Sequence, residues 1–472
     1  MSDLGFVKCD CNHCGTHLEF PLELDQTAIE CPHCGEQTIL ASCEATAPSA
    51  TAEPLPQWTV HDIQHAFSGQ IRRPWSSPVY VFALLLVSAV MALLPLVYLG
   101  LVGSAAYGVY FWADEGRFLF DGPRGGVYGL LIRATLYVAP LIAGAIAVFF
   151  MIKPLLARPG RRAQPLALNP VAEPVLYTFV QEIARQVGSP FPARIDLDCQ
   201  LNAAASFRRG LASFLNGDLV LTLGLPLVAG LTARELAGVI AHELGHFRQG
   251  IAMRLSYLIR GINDWFARVI YERDAWDEGL SEWAAETEGL VASFIVICAA
   301  LAVWITRSLL MLLLLVGHAV STTLLRQMEF DADRCEIRLV GSATFESTVR
   351  RFNVLGKVLR GLYEELRMRW NRDHQLPSNL PDYLIRRAQE LDPVKRERIE
   401  DTLGLRSSRW YESHPSDAER IRRARQVNAP GVVTLEGAAS ALFACFEVPA
   451  RQVTSLHYTE DLRLPIVPTA LV

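Results

Sequence analysis

Two histidines four residues apart, with a glutamate between them, make up the pattern His242-Glu243-Leu244-Gly245-His246. On a helix, positions i and i+4 leave the same face one turn apart, so both imidazoles can reach one zinc ion while Glu243 lies beside it. A water held on zinc has its pKa lowered to about 7, so a carboxylate can take its proton and deliver it to a leaving amine. The chemistry this set performs is peptide hydrolysis. With eleven histidines in 472 residues, a chance match has odds on the order of one or two in a hundred. A catalytic zinc also needs a third protein ligand and an open position. Glu329 and Asp333, again at i and i+4, meet that need: Glu329 would ligate, and Asp333 would accept the remaining N–H of a ligand histidine. Taken alone, the pair also reads as a solvated helix face.

A second metal centre is expected near the start of the chain. Cys11-x-x-Cys14 and Cys31-Pro-His-Cys34, with 16 residues between the pairs, have the spacing of a four-cysteine zinc ribbon, a closed structural site that folds a segment too small to bury a core. Cys9 crowds Cys11, but Cys11 has the better spacing. His13, His17 and His33 read as surface residues. Residues 1–57 hold one lysine, Lys8, and no arginine, so no nucleic acid is expected and a protein partner for the ribbon is the better reading. No secretory signal precedes it, and residues 1–70 are expected to be cytosolic and reduced.

The elements that must position these groups include membrane segments. Apolar residues make up 51% of the chain and mean hydropathy is +0.22, high for a soluble enzyme. The net charge of -5 gives no basic field for nucleic acid. Val79 to Ala113 contains no charge and exceeds the roughly 20 residues of a spanning helix; Val127 to Ile152 carries only Arg133. Arg72 and Arg73 before this hairpin, and Lys153, Arg158, Arg161 and Arg162 after it, put both outer flanks in the cytoplasm. A helix is expected over 170–187 and strands over 193–197 and 219–223. The capping box Thr232-Ala233-Arg234-Glu235 starts a helix at about Ala233 that can run through the histidines and beyond, with little to stop it before Gly261. Residues 272–289 read as an acidic, Trp-bearing loop, and Val291 to Leu325 as membrane-embedded.

His246 and Glu329 must meet, which requires an even number of crossings between them. Only one apolar stretch is evident, because Arg254, Arg260, Asn263, Asp264 and Arg268 make a lipid-exposed span over 251–271 costly. Alternatively, 291–325 folds as a hairpin, inserts without crossing, or lines a chamber at the interface.

The order of three motifs, His242 to His246, then Glu329-Phe330-Asp331-Ala332-Asp333, then His414-Pro415-Ser416-Asp417-Ala418-Glu419-Arg420-Ile421, resembles the HtpX and CAAX-prenyl-protease family of membrane gluzincins over roughly 165–425. The resemblance implies His242, His246 and Glu329 as zinc ligands, Glu243 as general base and acid, and Asp333 as a group that either supports a ligand histidine or assists proton transfer. It also suggests that His414 and Arg420 approach the cleft, against a plain reading as a helix entry and a surface ion pair. Leu201-Asn202-Ala203-Ala204-Ala205 resembles the family's Asn-Ala-Phe-Ala signature at the edge of the substrate cleft, with Ala204 where Phe is usual.

The expected architecture is a mainly α membrane protein with a gluzincin-type α+β metallopeptidase domain. Its parts are a zinc ribbon (1–45), a linker (46–70), a transmembrane hairpin (71–160), the peptidase domain (161–430, including 291–325) and a C-terminal extension (431–472). The expected function is endopeptidase action on membrane or membrane-adjacent proteins with one catalytic and one structural zinc. The resemblance and charge bias suggest a bacterial inner membrane, with the N-terminus and the active site facing the cytoplasm. A latent scaffold that binds partners through the ribbon, and an enzyme processing one peptide or lipidated tail, are the competing readings.

Overall fold

The computed structural model describes residues 6–11, 17–21, 28–35, 37–39, 58–71, 78–121, 126–156, 165–207, 218–248, 251–271, 289–405, 415–467 and 470–472. The N-terminal segment forms two antiparallel hairpins, β1 (Phe6–Asp10) with β2 (His17–Pro21) and β3 (Ala28–Glu30) with β4 (Gln37–Ile39). Their small core gathers Cys11, Cys31, Leu18 and Phe20. Cys14, residues 46–57 of the expected linker and His414 lie outside the described residues. A capped helix α1 (Val60–His65) follows, its Thr59 and Asp62 forming a reciprocal box.

Helices α2 (Pro78–Glu115) and α3 (Gly126–Leu156) form an antiparallel pair. Tyr98 Oη donates to the Met151 carbonyl at 2.7 Å, and Tyr137 Oη to that of Ala113 at 2.7 Å. Next come β5 (Leu166–Ala167), α4 (Pro174–Val187), β6 (Arg194–Asp198), β7 (Ala203–Phe207) and β8 (Leu219–Gly224). The four strands make one sheet in the order β5-β6-β8-β7, with β6 and β8 parallel and the other pairs antiparallel. Ile195, Leu197, Leu221 and Leu223 bury one face of it, where α4 and α6 pack.

After the short α5 (Leu225–Gly230), α6 (Ala233–Gly245) starts at the expected box: Thr232 accepts from the Glu235 N–H, and Glu235 accepts from the Thr232 N–H. It stops sooner than the sequence reading allowed. Phe247 N–H turns back to the Leu244 carbonyl at 3.0 Å and Arg248 N–H to that of Gly245 at 3.4 Å, three-residue bonds that tighten and end the helix at His246. A separate helix α7 (Ile251–Tyr271) then carries Gly261 in its interior.

Helix α8 (Leu290–Val340) is a single unbroken rod of 51 residues, so 291–325 is not a hairpin. Three helices, Pro78–Phe120, Gly126–Leu156 and Leu290–Val340, are long and apolar enough to cross a membrane. Helix α7 joins α2 and α8 in a shared apolar cluster that includes Met91, Tyr98, Ile259, Phe266 and Leu310. It runs antiparallel to α8: Arg260 meets Glu329, Asn263 donates to Ser321, and Tyr271 reaches Met311. Arg260 and Asn263 therefore point at protein.

The remaining helices are α9 (Ser342–Asp373), α10 (Leu380–Gln389), α11 (Pro393–Leu405), α12 (Asp417–Val427) and α13 (Glu447–Leu456). Prolines near the starts of α10, α11 and α12 mark the breaks seen in the sequence. Residues 431–472 share the main core: Val433, Leu442, Val453 and Tyr458 pack in the cluster that holds Leu236 and Leu244 of α6. The chain is thus mostly helical, with a small sheet beneath the helix that bears the histidines.

Candidate metal centre

Helix α6 lies across the buried face of the sheet, and α8 lies across α6. Their approach is close because α6 carries glycines where they meet. A Cβ on Gly245 would sit 3.3 Å from Ala332 Cα, and one on Gly238 would sit 3.2 Å from both Glu336 Cγ and Oε1. Arg234 fastens the far end: Nε donates to the Val340 carbonyl and Nη2 to that of Pro430, each at 3.0 Å. A guanidinium at the C-terminal end of α8 also suits the negative end of that helix.

This packing brings His242 and His246 of α6 against Glu329 of α8. His242 Nε2 is 3.5 Å from Glu329 Oε2, and His246 Nε2 is 3.7 Å from Glu329 Oε1. The three ligand atoms lie within 4.8 Å of one another. Tetrahedral zinc with ligands at about 2.0–2.1 Å holds neighbouring ligand atoms about 3.3 Å apart, so the two distances from Glu329 to the imidazoles need to close by only a few tenths of an ångström. Charge agrees with distance. Glu243, Glu329, Asp333 and Glu336 bring four carboxylates, while Arg260 and Arg420 bring two guanidiniums, leaving an excess that suits a divalent cation. Burial alone would pull the His242 imidazole down, yet bonding to Asp333, Glu329 and Glu336 holds it well above its usual range. Burial and the neighbouring His242 push His246 down to about 3.

The other nitrogen of His242 faces a second pair of carboxylates. Nδ1 is 3.1 Å from Asp333 Oδ1 and 3.5 Å from Glu336 Oε2. Asp333 is itself gripped by Arg420, whose Nη2 donates to Oδ1 at 2.6 Å and whose Nε donates to Oδ2 at 3.0 Å. Arg420 thus reaches the site behind the histidine, through Asp333. Arg260 Nη2 donates to Glu329 Oε1 at 2.5 Å from the opposite side. Neither Glu336 nor Arg260 was singled out by motif spacing. Gly238, one helical turn before His242, was the available hint for Glu336.

Glu243 turns towards the sheet. Its carboxylate accepts the backbone N–H of Ala205 on β7, and burial pushes that carboxyl up. Strand β7 is the sheet's edge, and its outer side pairs with no strand among the described residues. Asn202, Ala203 and Ala204 lie at its start, anchored by the bond from the Gly224 N–H to the Asn202 carbonyl.

The sequence pattern of peptidase family M48 matches residues 170–428, more than half of the chain and all of the elements that build this centre. The chain belongs to peptidase family M48. It is therefore a metallopeptidase by family, and M48 peptidases are generally zinc-dependent, in keeping with a donor set of two imidazoles and a carboxylate. As an M48 peptidase it carries one further sulfur-rich group outside the matched region. Cys11, Cys31 and Cys34 bring their sulfurs within 4.8 Å of one another, with Cys11 Sγ and Cys34 Sγ 3.7 Å apart. Four thiolates at about 2.3 Å from zinc would stand about 3.8 Å apart.

Proposed function

We propose that this M48 peptidase is a membrane-embedded zinc endopeptidase of the HtpX and CAAX-protease kind, cutting membrane or membrane-adjacent proteins. The observation that carries the reading is the convergence of His242, His246 and Glu329 within zinc-binding distance of one another, beside a Glu243 carboxylate bonded to an open strand edge. Bound there, zinc supplies Lewis-acid polarisation of a carbonyl and acidifies water to a pKa of about 7. The chain's own groups do the rest. Glu243 takes a proton and returns it to the leaving nitrogen, its carboxyl pushed up by burial towards the range a general base needs. Asp333, held by Arg420, and Glu336 hold His242 in one orientation. The outward backbone groups of β7 receive the substrate as an added strand.

A structural zinc on Cys11, Cys14, Cys31 and Cys34 would fold the N-terminal segment as a ribbon, which suits recruitment of a protein. The charge bias supports a cytoplasmic active site in a bacterial inner membrane. Because α8 returns the chain to the level of His246, one further crossing lies between 246 and 290. Helix α7 supplies it, with a length of about 31 Å for 21 residues, close to the hydrocarbon thickness of about 30 Å.

The test is proteolysis of casein by detergent-purified, zinc-loaded enzyme against Glu243→Gln at unchanged zinc content. Cleavage lost in the variant supports the assignment. Equal cleavage by both identifies a contaminant, and equal silence with both zinc sites filled favours a latent scaffold.

A further inference from the structure

The candidate centre uses one face of the sheet, and the other face is open. Strand alternation turns Asp196, Thr222 and Ala204, a single row across β6, β8 and β7, away from α6. On that side lies a cavity of about 1700 Å³ with a mixed lining: Ala204 of β7, Leu359 and Trp370 of α9, and Leu456 and Leu462 of the C-terminal segment are apolar, while Asp198 and Glu364 are among the carboxylates on its wall. It exceeds the roughly 300–1,000 Å³ of an ordinary small-molecule pocket, and so has room for several side chains.

Its C-terminal wall is firmly fastened. Tyr363 Oη of α9 donates to His457 Nε2 at 2.9 Å, and His457 Nδ1–H donates to Asp461 Oδ2 at 2.8 Å. The Leu380 N–H of α10 donates to Thr454 Oγ1 at 3.0 Å. Residues 447–464 therefore form a rigid boundary that meets the open edge of β7 across the cavity.

A peptide added to that edge presents successive side chains to opposite faces. One set points towards α6 and the histidines. The alternate set enters the cavity. We infer that the cavity is a substrate subsite taking large side chains at every second position of an extended peptide, with residues 447–464 as its selecting wall. The inference rests on the peptidase reading for the source of the peptide, and on the cavity alone for the preference.

The experiment uses full-length, zinc-loaded enzyme and a library of extended peptides randomised around the scissile bond, with products identified by mass spectrometry. Binding of the same peptides to Glu243→Gln protein is measured in parallel by fluorescence anisotropy. Alternate positions are expected to favour Leu and Phe over Ala. Ala204→Trp, which fills the cavity from the strand side, is expected to lower that ratio of kcat/KM roughly tenfold. Leu462→Glu, at a position 41% exposed and so tolerant of charge, is expected to move the preference at the same positions towards Lys and Arg. A flat profile at alternate positions, or one that neither variant alters, overturns the subsite. Binding that shows the Leu preference without any cleavage keeps the subsite and removes the peptidase reading; silence in both assays removes both.

Discussion

Glu336 sits 3.5 Å from His242 Nδ1 with 3% of its surface exposed, close against Gly238 of α6. A carboxylate there raises the basicity of a ligand imidazole and fixes which nitrogen faces the metal, and loss of such partners typically costs 10–100-fold in metal affinity. Glu336→Gln is expected to weaken zinc binding about tenfold or more in a chelator competition, while Gly238→Ala acts through the same carboxylate by crowding it. The two effects should then fall short of additivity in the double variant. Unchanged affinity in Glu336→Gln would leave Asp333 as the sole support of His242. Arg420 answers a different need: it neutralises a buried Asp333 through three donor contacts. Arg420→Ala leaves that carboxylate buried and unpaired, with an expected loss on the order of 3–5 kcal/mol, read as a lower midpoint of thermal unfolding. A midpoint within a degree of wild type would show that Asp333 finds another cation.

Between elements, the tie from α4 to the C-terminal segment contains a titratable strain. Glu173 precedes the first turn of α4, is 7% exposed, and accepts the Ala444 N–H at 2.8 Å. Burial raises its carboxyl from 4.5 to about 7, only partly offset by that bond. A folded-state pKa above the unfolded one gives stability that is fully present below about pH 4.5 and lost as pH rises through 7. The shift corresponds to roughly 3 kcal/mol. Glu173→Gln keeps an acceptor for Ala444 and removes the charge, so it should unfold at a higher temperature than wild type above pH 7, with the gap closing on acidification. A gap independent of pH would sink this account. The same elements show what sequence can reveal. The start of α6 was legible because Thr232 and Glu235 satisfy local donors, and the pairing of His242 with His246 because i and i+4 share a helical face. The end of α6 was not, since the turn-back bonds of Phe247 and Arg248 that close it carry no local sequence signal. The place of α7 was hidden too: Arg260 and Asn263 look costly for a membrane helix until Glu329 and Ser321 are seen opposite them.

Across the whole molecule, on the proposal that the chain spans a membrane, the position of Glu329 constrains its path. Helix α8 is unbroken from Leu290 to Val340, so if its apolar part crosses, its first residue and Glu329 lie on opposite sides. His246 lies at the level of Glu329, 3.7 Å away, so the chain must already have crossed once in the intervening segment. Helix α7 is the element that can do this, running beside α2 and antiparallel to α8, with Asn263 against Ser321 and Gly317 leaving room for Met91, Leu94 and Asn263. Small residues at such contacts let polar groups meet without facing lipid. The acidic segment between α7 and α8 is then expected on the far side from the metal centre. An epitope inserted between Gly279 and Leu280 should be open to antibody in intact cells stripped of any outer envelope, whereas an epitope after Val472 should need permeabilisation. If both tags require permeabilisation, α8 does not cross, and no crossing by α7 is needed to bring His246 to Glu329. If both are open from outside, the active site faces away from the cytoplasm, and the positive flanks of α2 and α3 do not set the orientation.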